Sequence, residues 1–181
     1  VISLSDSGGT IHFPEGMVVY VGAFGKTLAP AFQTGFVVAP DNFIAEMRKY
    51  LAIIDRQGDV IMEQALGEMI EEGEVHRHLK KSLKVYRERR DLFCEILEAR
   101  FDGLVKFQKP AGGLALWTAW TPGFSLFQLA NKCRQGNLFI PKNILYQNNI
   151  RSAMRLGFGH LNETEIEQSL EILRRAVMKT I

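Results

Sequence analysis

Cysteine is scarce in this chain: two residues in 181, Cys94 and Cys133, far apart and outside any CxxC or Cys/His spacing. That excludes a disulfide scaffold and the common zinc frames, and predicts two buried free thiols in a reducing, cytoplasmic setting. No apolar run approaches the roughly 18 residues of a spanning helix, so no membrane partner is expected. Charge of one sign is also missing. Twenty-two Lys+Arg against 20 Asp+Glu leave a net charge of +2, too little to argue for a nucleic-acid or lipid surface. A basic-then-apolar signal pattern is absent, as is an initiator methionine. The chain opens at Val1 and completes no element in its first fourteen residues, the pattern of a segment that continues upstream.

What is present is punctuated alternation. Residues 1–16 are turn-rich, with Ser-Gly-Gly and Pro-Glu-Gly breaks. Val18–Val21 and Gly35–Ala39 read as short buried strands, being β-branched, apolar and bounded by Gly and Pro. Asp41 is placed to cap a helix with Phe43, Ile44, Met47, Leu51 and Ile54 at 3–4 spacing. The run Asp55-Arg56-Gln57-Gly58-Asp59 interrupts it. Asp59 then caps a second helix, with Ile61, Met62, Ala65, Leu66, Met69 and Ile70 on one face, that stops near Gly73.

A long basic helix is expected over 74–101, with the seam Val75, Leu79, Leu83, Tyr86, Phe93 and Leu97 and with Gly103 beyond its end. Its charges at 76–91 fall between seam residues and read as a solvated face. Beyond it, Leu104–Gln108 and Leu114–Trp120 form a strand pair around KPAGG. Ser125–Gln135 is a helix ended by Gly136, and Leu138–Ile140 and Met154–Phe158 are strands. Asn162 with Glu165 makes a capping-box start to a last helix striped with Ile166, Leu170, Leu173 and Val177. The order predicts an α/β chain in three parts: the end of a large-domain sheet (1–73), a long linking helix (74–103) and a small α+β lobe (104–181).

One lysine stands out. In VVYVGAFGKTLAPAFQTGFVVAP, Lys26 sits on a tight loop between two apolar runs, among small neighbours. A lysine there is expected to reach a poorly hydrated cleft, where desolvation favours the neutral amine that attacks an aldehyde. The GxxxxGK[ST] frame of a phosphate-binding P-loop is not met.

That stretch resembles the segment around the Schiff-base lysine of fold-type I aminotransferases dependent on pyridoxal 5'-phosphate (PLP). It is most similar to the aminotransferase-like domain of the MocR group of GntR-family transcriptional regulators. The resemblance continues through DRQGDVIMEQALGEMIEEGEVHRHLKKSLKVYRERRD, PAGGLALW and MRLGFGHLNETEIEQSL. It implies the C-terminal portion of the type I PLP-dependent transferase fold. Lys26 then matches the catalytic, cofactor-binding lysine. Arg155, in MRLGF, matches the arginine that grips a substrate α-carboxylate, a bidentate task that Lys cannot reproduce. Gly112 and Gly113 match a turn near the substrate.

Three positions depart from the family pattern. Where the family has Ser or Thr, Ser, and Arg around the cofactor's phosphate, this chain has Ala23, Gly25 and Gln33. Gln33 can still donate to the phosphate, and Thr27 and Thr34 lie nearby. At roughly 1.5–3 kcal/mol per hydrogen bond to a charged group, the combined loss exceeds about 4 kcal/mol, around a thousandfold in affinity.

The resemblance implies an effector-sensing domain of a bacterial regulator, binding PLP, an amino acid or both. It would act as a homodimer and reach DNA only through a winged helix upstream of this chain. The family's aspartate for the pyridine nitrogen also lies upstream, and Asp6 is the one acidic residue in 1–14. The alternative is an active class I/II aminotransferase exchanging amino groups with a 2-oxo acid. A third reading keeps the fold only as a dimerisation platform.

Overall fold

The computed structural model describes residues 18–29, 31, 33–54, 58–121, 124–148 and 150–180. The turn-rich opening with Asp6, and positions 55–57 of the DRQGD run, lie outside the described residues. The chain divides into two compact units, Val1–Lys80 and Lys81–Ile181, so the boundary falls inside the long helix.

In the first unit, β1 (Tyr20–Ala23) and β2 (Gly35–Val38) pair antiparallel, with Tyr20 opposite Val38 and Gly22 opposite Phe36. The ring of Phe36 lies across Gly22: a Cβ there would meet it at 2.4 Å. Tyr20 and Phe24 flank the same ring at 5.8 and 5.2 Å between centroids. The strands were expected to be buried, and they are not, with Val21 72% exposed. Each strand has a single partner among the described residues, and a two-stranded ribbon shelters little of its own surface.

Helix α1 (Asp41–Ile54) starts one residue earlier in its bonding than the sequence suggests. The carbonyl of Pro40 accepts the first helical N–H, from Ile44 at 3.1 Å. Asp41 therefore lies in the first turn, where its charge meets the positive end of the helix. No residue of α1 is buried. Helix α2 (Val60–Glu71) is capped as expected: the Asp59 carboxylate accepts from Met62 N–H at 3.0 Å. Its inward line is Met62, Leu66, Met69 and Ile70, whereas Ile61 and Ala65 face outward. Gly73, at φ 75°, ends it.

Helix α3 (Glu74–Arg100) runs from one unit into the next. Its last turns supply Phe93, Cys94, Ile96 and Leu97 to the core of the second unit. There β3 (Val105–Phe107), β4 (Ala115–Trp120), β6 (Ser152–Gly157) and β5 (Leu145–Gln147) form an antiparallel sheet in the order β3-β4-β6-β5. Helices α4 (Leu126–Gln135) and α5 (Glu163–Met178) contribute Leu126, Leu129, Ile166, Leu170 and Leu173 to the same core. The sheet turns Leu116, Trp120, Met154 and Leu156 toward it. The buried hydroxyl of Thr118 donates to Met154 O at 2.7 Å and accepts from the Trp120 indole at 3.1 Å, so its burial leaves nothing unpaired.

Helix α4 ends at Gly136 as expected, and the segment after it brings one correction. Gly136 does not itself supply the left-handed residue of that stop. Asn137 does, at φ 65°, with Leu138 N–H donating to Cys133 O and Asn137 N–H to Arg134 O, the paired bonds of a Schellman motif. Gly136 is needed for another reason: a Cβ there would come within 2.8 Å of Ile172 on α5. The strand expected at 138–140 is absent because Leu138 closes that motif, while Ile140 is buried in the core. The strand that forms instead is β5, after a 3-10 turn at Lys142–Ile144. Gln147 fastens it, accepting from Leu126 N–H at 2.8 Å and donating to Phe124 O at 3.0 Å. The capping box of Asn162 and Glu165 forms in full, and both cysteines are buried and free, as expected.

Candidate functional site

The lysine turn is built on one carbonyl. Phe24 N–H donates to Thr34 O at 3.0 Å, closing the ladder, and Phe24 O accepts from Thr27 N–H and Leu28 N–H at 3.1 and 2.8 Å. The Thr27 hydroxyl donates to the same oxygen at 3.3 Å. Lys26 therefore rides at the tip of a tight turn, between Gly25 and Thr27. Its side chain is exposed and makes no hydrogen bond or ion pair among the described residues. The poorly hydrated amine expected from the sequence is not found in the first unit. Ala23 closes β1, and Gln33 is exposed at φ 44°, an uncommon conformation for a residue with a side chain.

Arg155 and Gly113 belong to the second unit. Arg155 sits on β6 directly opposite Trp117 of β4, on the face turned away from the helices. It is exposed, with no polar partner among the described residues. Gly113 adopts φ 84°, and a Cβ added to it or to Gly112 would meet nothing within 4 Å. Backbone conformation, not crowding, is what requires glycine at 113. The turn precedes the first ladder pair, Ala115 with Gly157, whereas Arg155 stands in the third, so Gly113 and Arg155 occupy different levels of the sheet.

Three cations in and near the basic helix prove structural. Arg89 donates to Gly159 O at 2.6 Å, and Arg90 to Pro110 O at 3.2 Å and to the Asp91 carboxylate at 2.8 Å. Lys109 reaches Asp91 at 3.0 Å. Arg90 and Lys109 together hold the Asp91 carboxyl below its ordinary range, and they anchor the loop leading into Gly112–Gly113. On α5, Arg174 and Arg175 pull the Glu171 carboxyl down to about 2. Burial pushes the Cys133 thiol up to about 11, which suits a core group and not a nucleophile. No cluster with metal-ligand character occurs among the described residues.

Sequence reasoning overlooked the surroundings of Arg155. Trp117 and Tyr146 form a ring pair 4.7 Å apart on its face of the sheet. The alternation in LALWTAW puts Trp117 opposite the core residues. Tyr146 was hidden because its three-residue strand carries no periodic signal.

No family model matches the chain. Among curated proteins it is 27% identical over 165 residues to aromatic-amino-acid aminotransferase 1 of Thermococcus litoralis, covering 90% of this chain and 40% of that protein. It is 24% identical over 168 residues to the HTH-type transcriptional regulator YisV of Bacillus subtilis, covering 91% and 35%. The HTH-type regulator NorG of Staphylococcus aureus matches at 24% over 159 residues, covering 86% and 35%. Among solved structures, the multiple substrate aminotransferase of Thermococcus profundus superposes with a TM-score of 0.79 at 23% identity, covering 93% of this chain and 42% of that one. The α-aminoadipate aminotransferase LysN of Thermus thermophilus, solved with N-(5'-phosphopyridoxyl)-L-leucine, gives 0.75 at 21%, covering 90% and 42%. The chain thus spans about 40% of the length of the first curated relatives. Its fold is a C-terminal portion of the fold-type I aminotransferase fold, and its sequence is similar to aminotransferases and to HTH-type regulators alike.

Proposed function

We propose that this chain is the effector-sensing, aminotransferase-like part of a MocR-type DNA-binding regulator. DNA would be read by a helix-turn-helix segment elsewhere in the natural protein. Lys26 is the amine that meets the aldehyde of PLP, Gln33 the remaining side-chain donor toward its phosphate, and Arg155 the anchor for an amino acid's carboxylate. When bound, the cofactor supplies an electron-withdrawing ring and an aldehyde.

The observation that carries this reading is the uneven fit of the lysine turn. An unpaired amine at the tip suits the aldehyde end. At the phosphate end, Ala23 and Gly25 have no hydroxyl, Gln33 has no charge, and the Thr27 hydroxyl already donates to Phe24 O. A weakly held ligand that reports its own concentration needs only this much, whereas turnover requires the cofactor to stay through two half-reactions. Kinship with YisV and NorG, over most of this chain, supports the same reading.

The second reading, an active aminotransferase, is favoured by the retention of both Lys26 and Arg155 and by the likeness to the Thermococcus litoralis enzyme. One titration separates the two. Adding PLP to the full natural protein is expected to produce a visible absorption band that Lys26→Ala abolishes and to change operator affinity. Restoring the family residues (A23S, G25S and Q33R together) is expected to tighten that titration up to about a thousandfold. A band unaffected by Lys26→Ala, or a natural protein without a helix-turn-helix segment, overturns the proposal.

A further inference from the structure

One face of the four-stranded sheet is spent on the core, and the other carries side chains that the fold does not use. By register, Lys106 of β3 lies beside Ala119 of β4, Ala119 beside Ala153 of β6, and Ala153 beside Tyr146 of β5. Trp117 and Arg155 form the neighbouring pair on the same face. The two rings stand 4.7 Å apart, tilted by 48°. Both stay half in water, Trp117 at 53% and Tyr146 at 47%. Ala153, between them in the register, is only 6% exposed on an otherwise open face. The pair thus forms a firm aromatic wall above a floor of small residues.

The charge on this face has one sign. The members with ionisable side chains of ordinary charge are Lys106 and Arg155, and Arg155 has no polar partner among the described residues. A complementary ligand is therefore an anion. Arg155 and Trp117 are direct cross-strand partners, whose Cβ atoms stand about 5 Å apart in such a ladder, so one small ligand can touch both side chains. In an aromatic amino acid or its 2-oxo acid, three bonds of about 1.5 Å separate the carboxyl carbon from the ring.

We propose that Trp117 and Tyr146 determine the specificity of the carboxylate site at Arg155, selecting amino or 2-oxo acids with an aromatic side chain. The guanidinium holds the carboxylate through its planar fork, and the ring of the ligand lies against the Trp117–Tyr146 wall. Lys106 adds to the positive field and disfavours ligands with a cationic side chain. This inference rests on the proposed reading of Arg155 as a carboxylate anchor.

The test is calorimetric titration of the full natural protein with phenylpyruvate, pyruvate and benzylamine, repeated on variants. Phenylpyruvate is expected to bind more tightly than pyruvate, and benzylamine, which lacks the carboxylate, not at all. Trp117→Leu, at an exposed position, is expected to weaken phenylpyruvate by about tenfold and to leave pyruvate unchanged. Arg155→Lys is expected to weaken both acids. Equal losses for the two acids in Trp117→Leu, or no preference for the aromatic acid in the natural protein, overturns this inference alone. Indifference of both acids to Arg155→Lys overturns the anchor reading and this inference with it.

Discussion

At the scale of single residues, chemistry and backbone geometry make different demands on the positions the sequence singles out. Lys26 and Gln33 are legible as a pair from the motif around them, yet their exposure is not. Two flanking apolar runs look like core, and nothing in a one-dimensional pattern reveals that their strands have one partner each among the described residues. Gly113 shows the converse. Its match to a substrate-side turn makes it a functional candidate, while its φ of 84° gives it a conformational reason to be glycine. These two reasons separate experimentally. Gly113→Ala is expected to destabilise the fold by about 1–2 kcal/mol, the cost of a left-handed residue with a side chain. Gly112→Ala, with equally open space and no such φ, is expected to change it by less than about 0.5 kcal/mol. Urea unfolding midpoints of the two variants measure the difference, and equal effects would remove the conformational argument.

At the scale of elements, the sequence is most readable where caps and stripes coincide. Asp59, Ser125 and Asn162 each accept a backbone N–H where their helix begins. The stripe Ile166, Leu170, Leu173 and Val177 is buried throughout. What the sequence conceals is division of labour between neighbours. In Gln-Gly-Asn the glycine is the obvious helix stop, but Asn137 makes the turn and Gly136 lets α4 approach α5. Gly136→Ala is therefore expected to cost about 1–3 kcal/mol through overpacking against Ile172. The double variant with Ile172→Leu is expected to recover most of it, because leucine lacks the Cγ2 methyl that the added Cβ would meet. Thermal melts of the single and double variants provide the check. A cost unchanged by Ile172→Leu would mean that contact is not its source.

At the scale of the whole chain, burial is distributed unevenly. Among the described residues of Val1–Lys80, Leu66 and Val75 are the buried hydrophobic ones, whereas the core cluster draws all its members from Lys81–Ile181. Opening free energies follow buried apolar contact. Native-state hydrogen exchange of this chain is expected to show its slowest amides in β4, β6 and α5 and fast exchange along α1. Slow exchange throughout α1 would refute that ranking. The α/β class, the antiparallel strand pair around KPAGG and the long linking helix are all legible in the residue order. The place where the chain divides is not, because α3 continues unbroken through it and no glycine or proline marks the spot.

Gln147 shows how much can depend on one amide. It gives a proton to one backbone group and takes one from another, at the start of α4. Its two ends cannot be exchanged without facing like against like. The strand too short to announce itself is thereby keyed in a single orientation. Tyr146, one step back along the chain, inherits its aim across the sheet from a neighbour that never reaches the surface it serves.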